Sequence, residues 1–424
     1  MAKVITTELQ HSGASAANIT LDSSKNVTCE NNLQVDGNVT VTGTLPADKL
    51  TGALPAISGA SLTGISSQDT LSFRNIIING AMNVAQRATS STSTAYQTCD
   101  RIRVDTANVD EDATQAQVSL SSSDTGPWAK GFRKALQITN GNQTSGAGSN
   151  DLVNAAMYLE GQDVHLIWEP NNTNSEITLS WWMKSSVAQT FYGYIRTLNG
   201  TSKSIAFTTG SLSANTWTKI TKTIPGHADL TIPNDNTAGI GIFWDFFRGT
   251  DRTDSGVSTT AWKTYESSAR TPDCTSTWYT TNDSTITMTG IQLEAGDTAT
   301  EFEMRSYGDE LARCQRYLQT WTSDTFYAFG RGNGTADFVF SVPLNVPLRA
   351  SPTISQSVDS GDWKVFGTTF ADNSSSTPAV RRWQANAPTI NLNCVGFDAL
   401  VDDRCGTIQA NFGANGRFSL TSEL

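Results

Sequence analysis

The chain has 424 residues, only 16% of them charged, and a net charge of −11 from 40 acidic and 29 basic side chains. It has no Lys/Arg-rich run, so the clustered cations that displace counterions from phosphate are missing and nucleic acid is disfavoured as a partner. No apolar stretch approaches the ~20 residues needed to span a bilayer, and the opening MAKVITTELQHSG lacks the apolar core of a secretory signal.

Length suggests roughly two to four domains. Abundant Thr, Ser, Asn and Gly beside 38% hydrophobic residues favour turn-rich β-structure with enough apolar material for packed cores. Residues 1–72 carry no Phe, Tyr or Trp and cannot bury a large core alone. They alternate apolar with polar at Ile19/Leu21, Leu33/Val35 and Val39/Val41, with Asp36-Gly37 as a turn signal. Asn-Val-Thr recurs at 26 and 38 and Leu-Thr-Gly at 50 and 62. Such narrow strands gain stability when several chains share one axial core, which makes 1–72 an attachment or shaft segment. A Ser/Gly-rich flexible linker is the competing reading.

Residues 73–305 read as a larger β-domain. ITLSWWMK at 177–184 puts Ile177, Leu179, Trp181 and Met183 on one face and Thr178, Ser180, Trp182 and Lys184 on the other. FYGYIRTL (191–198), SIAFTT (204–209), WTKITKTI (217–224), GIGIFWDFF (239–247) and STITMTGIQL (284–293) follow, with no helical pattern between them. That spacing indicates an antiparallel two-sheet sandwich. The irregular stretch 248–283 is expected to cross one end as a loop or to form short strands.

Residues 306–321 read as one helix. Ser306 and Asp309 form a capping-box-like start. Tyr307, Leu311, Cys314, Leu318 and Trp321 then follow at heptad spacing. This pattern fits either a seam between chains or an amphipathic helix lying on its own sandwich. Residues 322–424 return to β-signals such as DFVFSVPL, PTISQSV, WKVFGTTF and TINLNCVGF, a small C-terminal β-domain. The expected fold class is therefore all-β: thin N-terminal shaft, antiparallel jelly-roll sandwich, one linking helix and a C-terminal β-domain. Six cysteines lie scattered without metal-type spacing, as expected of free thiols in a reducing cytosol. Cys394 and Cys405 are the candidates for a pair across a hairpin, which sequence leaves open.

Several blocks resemble phage and prophage tail-fibre or receptor-binding proteins. They are NIIINGAMNVAQR (75–87) with Asp100-Arg101, ITLSWWMKSS, NTWTKITKTIPG (215–226), TGIQLEAGDTATEFEMRSYGDELARCQRYLQ (289–319) and VPLNVPLRASPTI (342–354). LPADKLTGALPAISGASLTGI (45–65) is similar to their shaft-like segments. One departure is Ile102, where relatives often carry Trp after Asp-Arg. The resemblance implies a jelly roll similar to carbohydrate-binding modules. It implies a homotrimer in the virion tail, assembled in the host bacterial cytoplasm and joined to other virion proteins through the N-terminal segment. The implied ligand is a host surface polysaccharide, with no nucleic-acid partner and no membrane insertion. It covers most of residues 45–354, so the attachment point and the receptor are not carried over.

Catalytic constellations are missing from the sequence. His11, His165 and His227 have no Ser or Cys motif beside them, and no GxSxG, HExxH, Walker loop or CxxC occurs. The expectation is a binding protein rather than an enzyme, with no cofactor. A glycosidase needs only two carboxylates, and Glu294, Asp297, Glu301 and Glu303 form one acidic group, with Asp100, Asp105, Asp110, Glu111 and Asp112 a second. Solvated loop charges are the plain alternative, and analogy with carbohydrate-binding jelly rolls offers ligands to a structural calcium. Sugar recognition uses aromatic faces with polar groups at the rim. That points to Trp182, Tyr192, Tyr194, Trp244, Trp262, Trp278 and Tyr279, each of which could equally serve packing. Trp363, Phe366 and Trp383 are C-terminal alternatives. The sequence favours a virion fibre that binds a host-cell glycan; a polysaccharide-degrading tailspike and a capsid-surface fibre are the alternatives.

Overall fold

The structure is a computed structural model that describes residues 74–322, 326–357, 362–367, 371–374, 378–398, 400–411 and 417–424, together with strands at 8–9, 19–21 and 27–29. Contacts divide the chain into two compact units, Met1–Ile65 and Ser66–Leu424. In the first, β1 (Glu8–Leu9), β2 (Ile19–Leu21) and β3 (Val27–Cys29) form an antiparallel sheet, with Leu9 opposite Ile19 and Thr20 opposite Thr28. The alternation at Leu33/Val35 and Val39/Val41 and the 50/62 repeat lie outside the described residues.

The second unit opens with the sandwich, two six-stranded antiparallel sheets. Their strands are β4 (Ser90–Ser91), β5 (Arg103–Ala107), β6 (Thr114–Ser119), β7 (Lys134–Thr139), β8 (Leu152–Glu160), β9 (Glu176–Ser185), β10 (Gln189–Thr197), β11 (Lys203–Leu212), β12 (Thr218–Pro225), β13 (Ala238–Arg248), β14 (Lys263–Thr264) and β15 (Thr285–Ala295). One sheet runs β14-β11-β10-β13-β8-β5 and the other β12-β9-β15-β7-β6-β4. Period-2 alternation decides what lies between them. Ile177, Leu179, Trp181 and Met183 of β9 all enter the buried core. Trp181 meets Trp244 of β13 at 6.1 Å and Phe207 of β11 at 5.6 Å, both edge-on. Aromatic burial of this kind is worth roughly 2–3 kcal/mol per ring. The stretch 248–283 contains β14 and a four-residue helix, α2 (Thr277–Thr280), besides α1 (Gly161–Val164) earlier in the chain.

The helix is shorter than its heptad pattern suggests. α3 spans Tyr307–Gln315, capped by Ser306, whose Oγ accepts from the Asp309 amide at 3.1 Å. Leu318–Thr322 is instead a strand, β16. Gln319, Thr320 and Trp321 are spaced as well for period 2 as for a helix, and pairing with the C-terminal strand decides between them. The five heptad positions read as a candidate seam therefore do not lie on one helix. Cys314 is buried in this chain with Ile78, Val84 and Tyr317, and Leu311 packs on the same cluster. Leu318 and Trp321 lie on β16, and Trp321 packs into the C-terminal core. Tyr307 alone of the five is mainly exposed, at 59%.

The segments around α3 are tied to residues 75–101 by buried polar bonds. Glu303 accepts from the Asn75 amide at 2.7 Å, and Glu310 accepts from the Asn79 amide at 2.5 Å. Arg305 donates to the Ile77 and Asn75 carbonyls. Asn79 Nδ2 in turn holds the Val84 and Asp100 carbonyls at 2.8 and 2.9 Å. Just past the helix end, buried Glu160 accepts from Arg316 at 3.0 and 2.8 Å and from the Tyr317 hydroxyl at 2.5 Å. Polar groups this deep must be paired to be tolerated.

The C-terminal part adds β17 (Tyr327–Asn333), β18 (Asp337–Pro343), β19 (Thr353–Ser357), β20 (Asp362–Gly367), β21 (Ala371–Ser374), β22 (Ala379–Arg382), β23 (Thr389–Val395), β24 (Cys405–Asn411) and β25 (Arg417–Thr421). They form a three-stranded sheet, β16-β25-β19, and a seven-stranded sheet, β21-β20-β24-β17-β18-β23-β22. Trp363, Phe326, Phe340 and Phe418 make a core of their own. Cys394 is buried and Cys405 exposed, and no disulfide joins them. Among the described residues no helix is long and apolar enough to cross a membrane.

Candidate glycan-binding face

The seven aromatic residues singled out in the sequence do not share one surface. Trp244, Trp278 and Tyr279 are core residues. Trp244 sits on the inward phase of β13, and Trp278 and Tyr279 of α2 enter the same core, with Tyr279 stacked on Phe247 at 4.2 Å. Their ring faces are used up by packing, so they are removed from the candidate site. Sequence could not place Trp278 and Tyr279 because the path of 249–283 has no periodic signal, whereas Trp244 follows the Ile240 and Ile242 phase of β13. Trp262 is half-buried, stacked on Trp168 at 6.3 Å, and its indole donates to the Pro225 carbonyl at 2.7 Å. Tyr192 and Tyr194 do share the outer face of the first sheet, on alternate positions of β10. Tyr194 is buried there, stacked on Phe243 at 4.5 Å, with Tyr265 and Val257 packed against this cluster. The segment after β13 thus covers the floor of that face and leaves Tyr192 partly exposed at its edge.

Trp182 is the one placed in an open polar setting. It takes the outward phase of β9, opposite Lys219 of β12 and Thr289 of β15. Half-buried Trp128, Trp217 and Phe302 and buried Phe132 gather with it. Two glycines, one in the turn before Trp128 and one within β15, let the backbone approach this cluster closely. A Cβ on Gly126, at φ +102°, would lie 2.8 Å from the Trp182 ring, and one on Gly290, at φ +65°, would lie 2.6 Å from the Phe132 ring. The Phe132 and Phe302 rings meet edge-on at 4.9 Å. A small pocket of about 40 Å³ opens between Trp182, Phe132, Phe302, Lys130, Lys219 and Glu301.

The rim is charged and ordered. Asp124 accepts from Lys184 Nζ at 2.8 Å, from the Trp217 indole at 3.0 Å and from the Ser121 amide at 3.0 Å. Burial pushes the Asp124 carboxyl up, but these donors outweigh it and hold the group at about 2. Lys184 also lies 5.0 Å from the Trp217 ring centroid, a cation–π contact. Lys130 pairs with exposed Glu301 at 2.9 Å, and the hydrogen bond from Lys130 lowers the Glu301 carboxyl. Aromatic rings bordered by amines, carboxylates and hydroxyls suit a polyhydroxylated ligand with one apolar face.

The acidic groups serve structure instead of gathering into a cleft. Glu294 is buried and accepts from Gln292, the Thr300 amide and the Thr300 hydroxyl. Asp100 accepts from Gln86, Asp110 from Ser145, Glu111 from the Asn142 amide, and Asp112 from Thr106. Asp105 pairs with Arg103 at 2.7 Å. Asp297 is exposed on the turn after β15. Among the described residues no group of three or more His, Cys, Asp or Glu is arranged to hold a metal ion. His165 Nε2 lies 2.9 Å from the Ile232 carbonyl, and His227 accepts from the Asp229 amide. His11 lies outside the described residues.

A second aromatic surface contains Phe366, which the sequence offered as an alternative, and Tyr327 and Phe329, which sequence reasoning overlooked. On β17 the alternation of YAFGRGN turns Tyr327, Phe329 and Arg331 outward from the seven-stranded sheet. Phe329 is 80%, Tyr327 64% and Phe366 44% exposed. Phe329 and Phe366 flank Thr407 from the two sides. Trp363, by contrast, is core, and Trp383 packs partly against that core.

No protein-family model and no curated protein sequence matches this chain. Among solved structures, it is similar over 52% of its length to the enzymatically active domain of bacteriophage CBA120 tailspike protein 4, at 12% identity and a TM-score of 0.27. The chain spans only 21% of that tailspike chain. The N-terminal cellulose-binding domain of Cellulomonas fimi β-1,4-glucanase C overlaps 39% of this chain and 80% of its own, with 15% identity and a TM-score of 0.22. The CBM22 tandem domain of Paenibacillus barcinonensis Xyn10C overlaps 76% and 93% at 6% identity, with a TM-score of 0.24. At such scores the overlaps do not say what this chain binds.

Proposed function

We propose that this chain is a fibre protein of a phage virion tail that binds a host-surface polysaccharide without cleaving it, through the outer face of its second sheet. The observation that carries the binding reading is Trp182, held between Gly126, Phe132 and Phe302 with Lys219, Lys130 and Glu301 at its rim. The resemblance of the 75–87 and 289–319 blocks to tail-fibre proteins supports the location, and with it a homotrimer carried on the particle by its N-terminal segment. The test is a pull-down of the purified chain on host polysaccharide, with Trp182→Ala beside wild type and reducing ends assayed in parallel. Retention that drops roughly tenfold in Trp182→Ala supports the site, since one sugar-facing ring is worth about 1–2 kcal/mol. Undiminished retention in that variant removes it. Release of oligosaccharide would instead favour a depolymerising tailspike, and labelling of the capsid by antibody to the C-terminal part would favour a capsid-surface fibre.

A second reading rests on the exposure of Phe329, Tyr327 and Phe366. If Trp182→Ala still binds and Phe329→Ser does not, the glycan docks on the seven-stranded sheet.

A further inference from the structure

An open hollow in Ser66–Leu424 shares no residue with either aromatic face. It is a cleft of about 480 Å³ between residues 87–97 of the sandwich and strands β19 and β25. That volume is in the range of small-ligand sites. Its walls follow from strand alternation. On β25, Phe418 and Leu420 enter the C-terminal core, so Arg417, Ser419 and Thr421 take the opposite face. Ser355 of β19 stands directly across from Ser419 and adds a second hydroxyl. The sandwich side supplies Arg87, Tyr96 and Gln97, and the Arg87 guanidinium lies 5.8 Å from the Tyr96 ring centroid.

No Asp or Glu lines this cleft, in a chain whose net charge is −11. Glu423 is held by Arg101 and by Arg87, the latter at 3.4 Å, and is not part of the lining. Arg87 also donates to the Thr421 hydroxyl at 3.2 Å, which fixes its side chain from behind. Arg417 donates to the Gln86 carbonyl at 3.3 Å and has no carboxylate at salt-bridge distance among the described residues. Its remaining N–H groups are free to meet a ligand oxygen. A guanidinium favours a planar carboxylate that can accept two hydrogen bonds at once. Hydroxyls and a side-chain amide around it suit sugar hydroxyls, and the Tyr96 ring edge adds an apolar surface.

We infer that the cleft between Arg87, Tyr96, Arg417 and Ser419 is a second saccharide site, selective for a carboxylate-bearing sugar unit of the uronate type. It shares no lining residue with the Trp182 pocket and does not depend on that face being occupied. Binding there involves no covalent step: the sugar carboxylate pairs with Arg417, and the ring hydroxyls with Ser355, Ser419 and Gln97.

The test is titration of the full chain with sodium D-glucuronate, D-glucose and inorganic phosphate, read by saturation-transfer NMR and calorimetry. The expected result is saturable glucuronate binding, none with glucose, and phosphate weaker than glucuronate. Arg417→Gln should weaken glucuronate about 10- to 100-fold, the worth of a charge-assisted hydrogen bond. Ser355→Trp fills the cleft while leaving both arginines in the chain and should abolish the signal even if Arg417→Gln proves poorly folded. Trp182→Ala should leave glucuronate affinity unchanged, so failure of the aromatic face and failure of the cleft give different patterns. Equal binding of glucose, phosphate as tight as glucuronate, or full affinity in a folded Ser355→Trp would each overturn the inference.

Discussion

Glu160→Ala is the sharpest probe of how the sandwich is joined to the segment after α3. The carboxylate is fully buried at the end of β8 and takes donors from Arg316, the Tyr317 hydroxyl and Gln162. Truncation leaves the buried Tyr317 hydroxyl without its partner, a loss of about 1–3 kcal/mol. Arg316 is 31% exposed and can turn to water, so its share is about 1 kcal/mol or less. The expected cost is therefore about 1–4 kcal/mol, below the full penalty for stranding a wholly buried charge. Urea unfolding followed by near-UV circular dichroism measures it, and hydrogen exchange should rise first in 316–322. Tyr317→Phe provides the cycle: added to Glu160→Ala it should cost little more, because the hydroxyl has already lost its acceptor. A Glu160→Ala protein within about 1 kcal/mol of wild type, or strictly additive costs in the pair, would refute the reasoning.

Three further outcomes are expected. Asp124 has a folded pKa of about 2, below its unfolded value of about 4, so its contribution is present above pH 4 and lost as pH falls from 4 through 2. That contribution is about 2 kcal/mol, and Asp124→Asn should flatten the acid limb of stability in that window; an unchanged limb would count against the network. Ser306→Ala removes the acceptor at the start of α3 and should cost about 1 kcal/mol in the same unfolding assay, with Ser306→Asp close to wild type. Iodoacetamide on the native chain, read by peptide mass, should label Cys405 quickly and spare Cys99, Cys314 and Cys394; protection of Cys405 that reductant reverses would indicate a disulfide after all.

The placement of α3 shows where local pattern stops being informative. Ser306 and Asp309 announce its start because a cap is a contact between near neighbours in sequence. Its end is not local. The sequence from 315 to 321 satisfies a 3.5-residue and a 2-residue period at once, and β25, about a hundred residues later, wins the segment for a sheet. The residues just before and within α3 have partners visible only in three dimensions. Buried Glu310 and half-buried Glu303 and Arg305 bond to Asn79, Asn75 and Ile77, so their polar groups have specified partners. The candidate site divides similarly. Trp182 could be placed on an outer face from alternation in β9 alone, whereas Tyr194 could not be known as buried until Tyr265 was seen to cover it.

Composition and period-2 alternation by themselves determined an antiparallel β-protein, the inward phase of β9 and the cap of α3, because each depends on neighbours within a few residues. The tertiary structure decided which aromatics keep a free face, that Leu318–Thr322 is a strand, and that two arginines 330 positions apart (417 − 87) line one cleft. Those outcomes rest on pairings between distant segments, whose energies come from burial and hydrogen bonds that no local window contains.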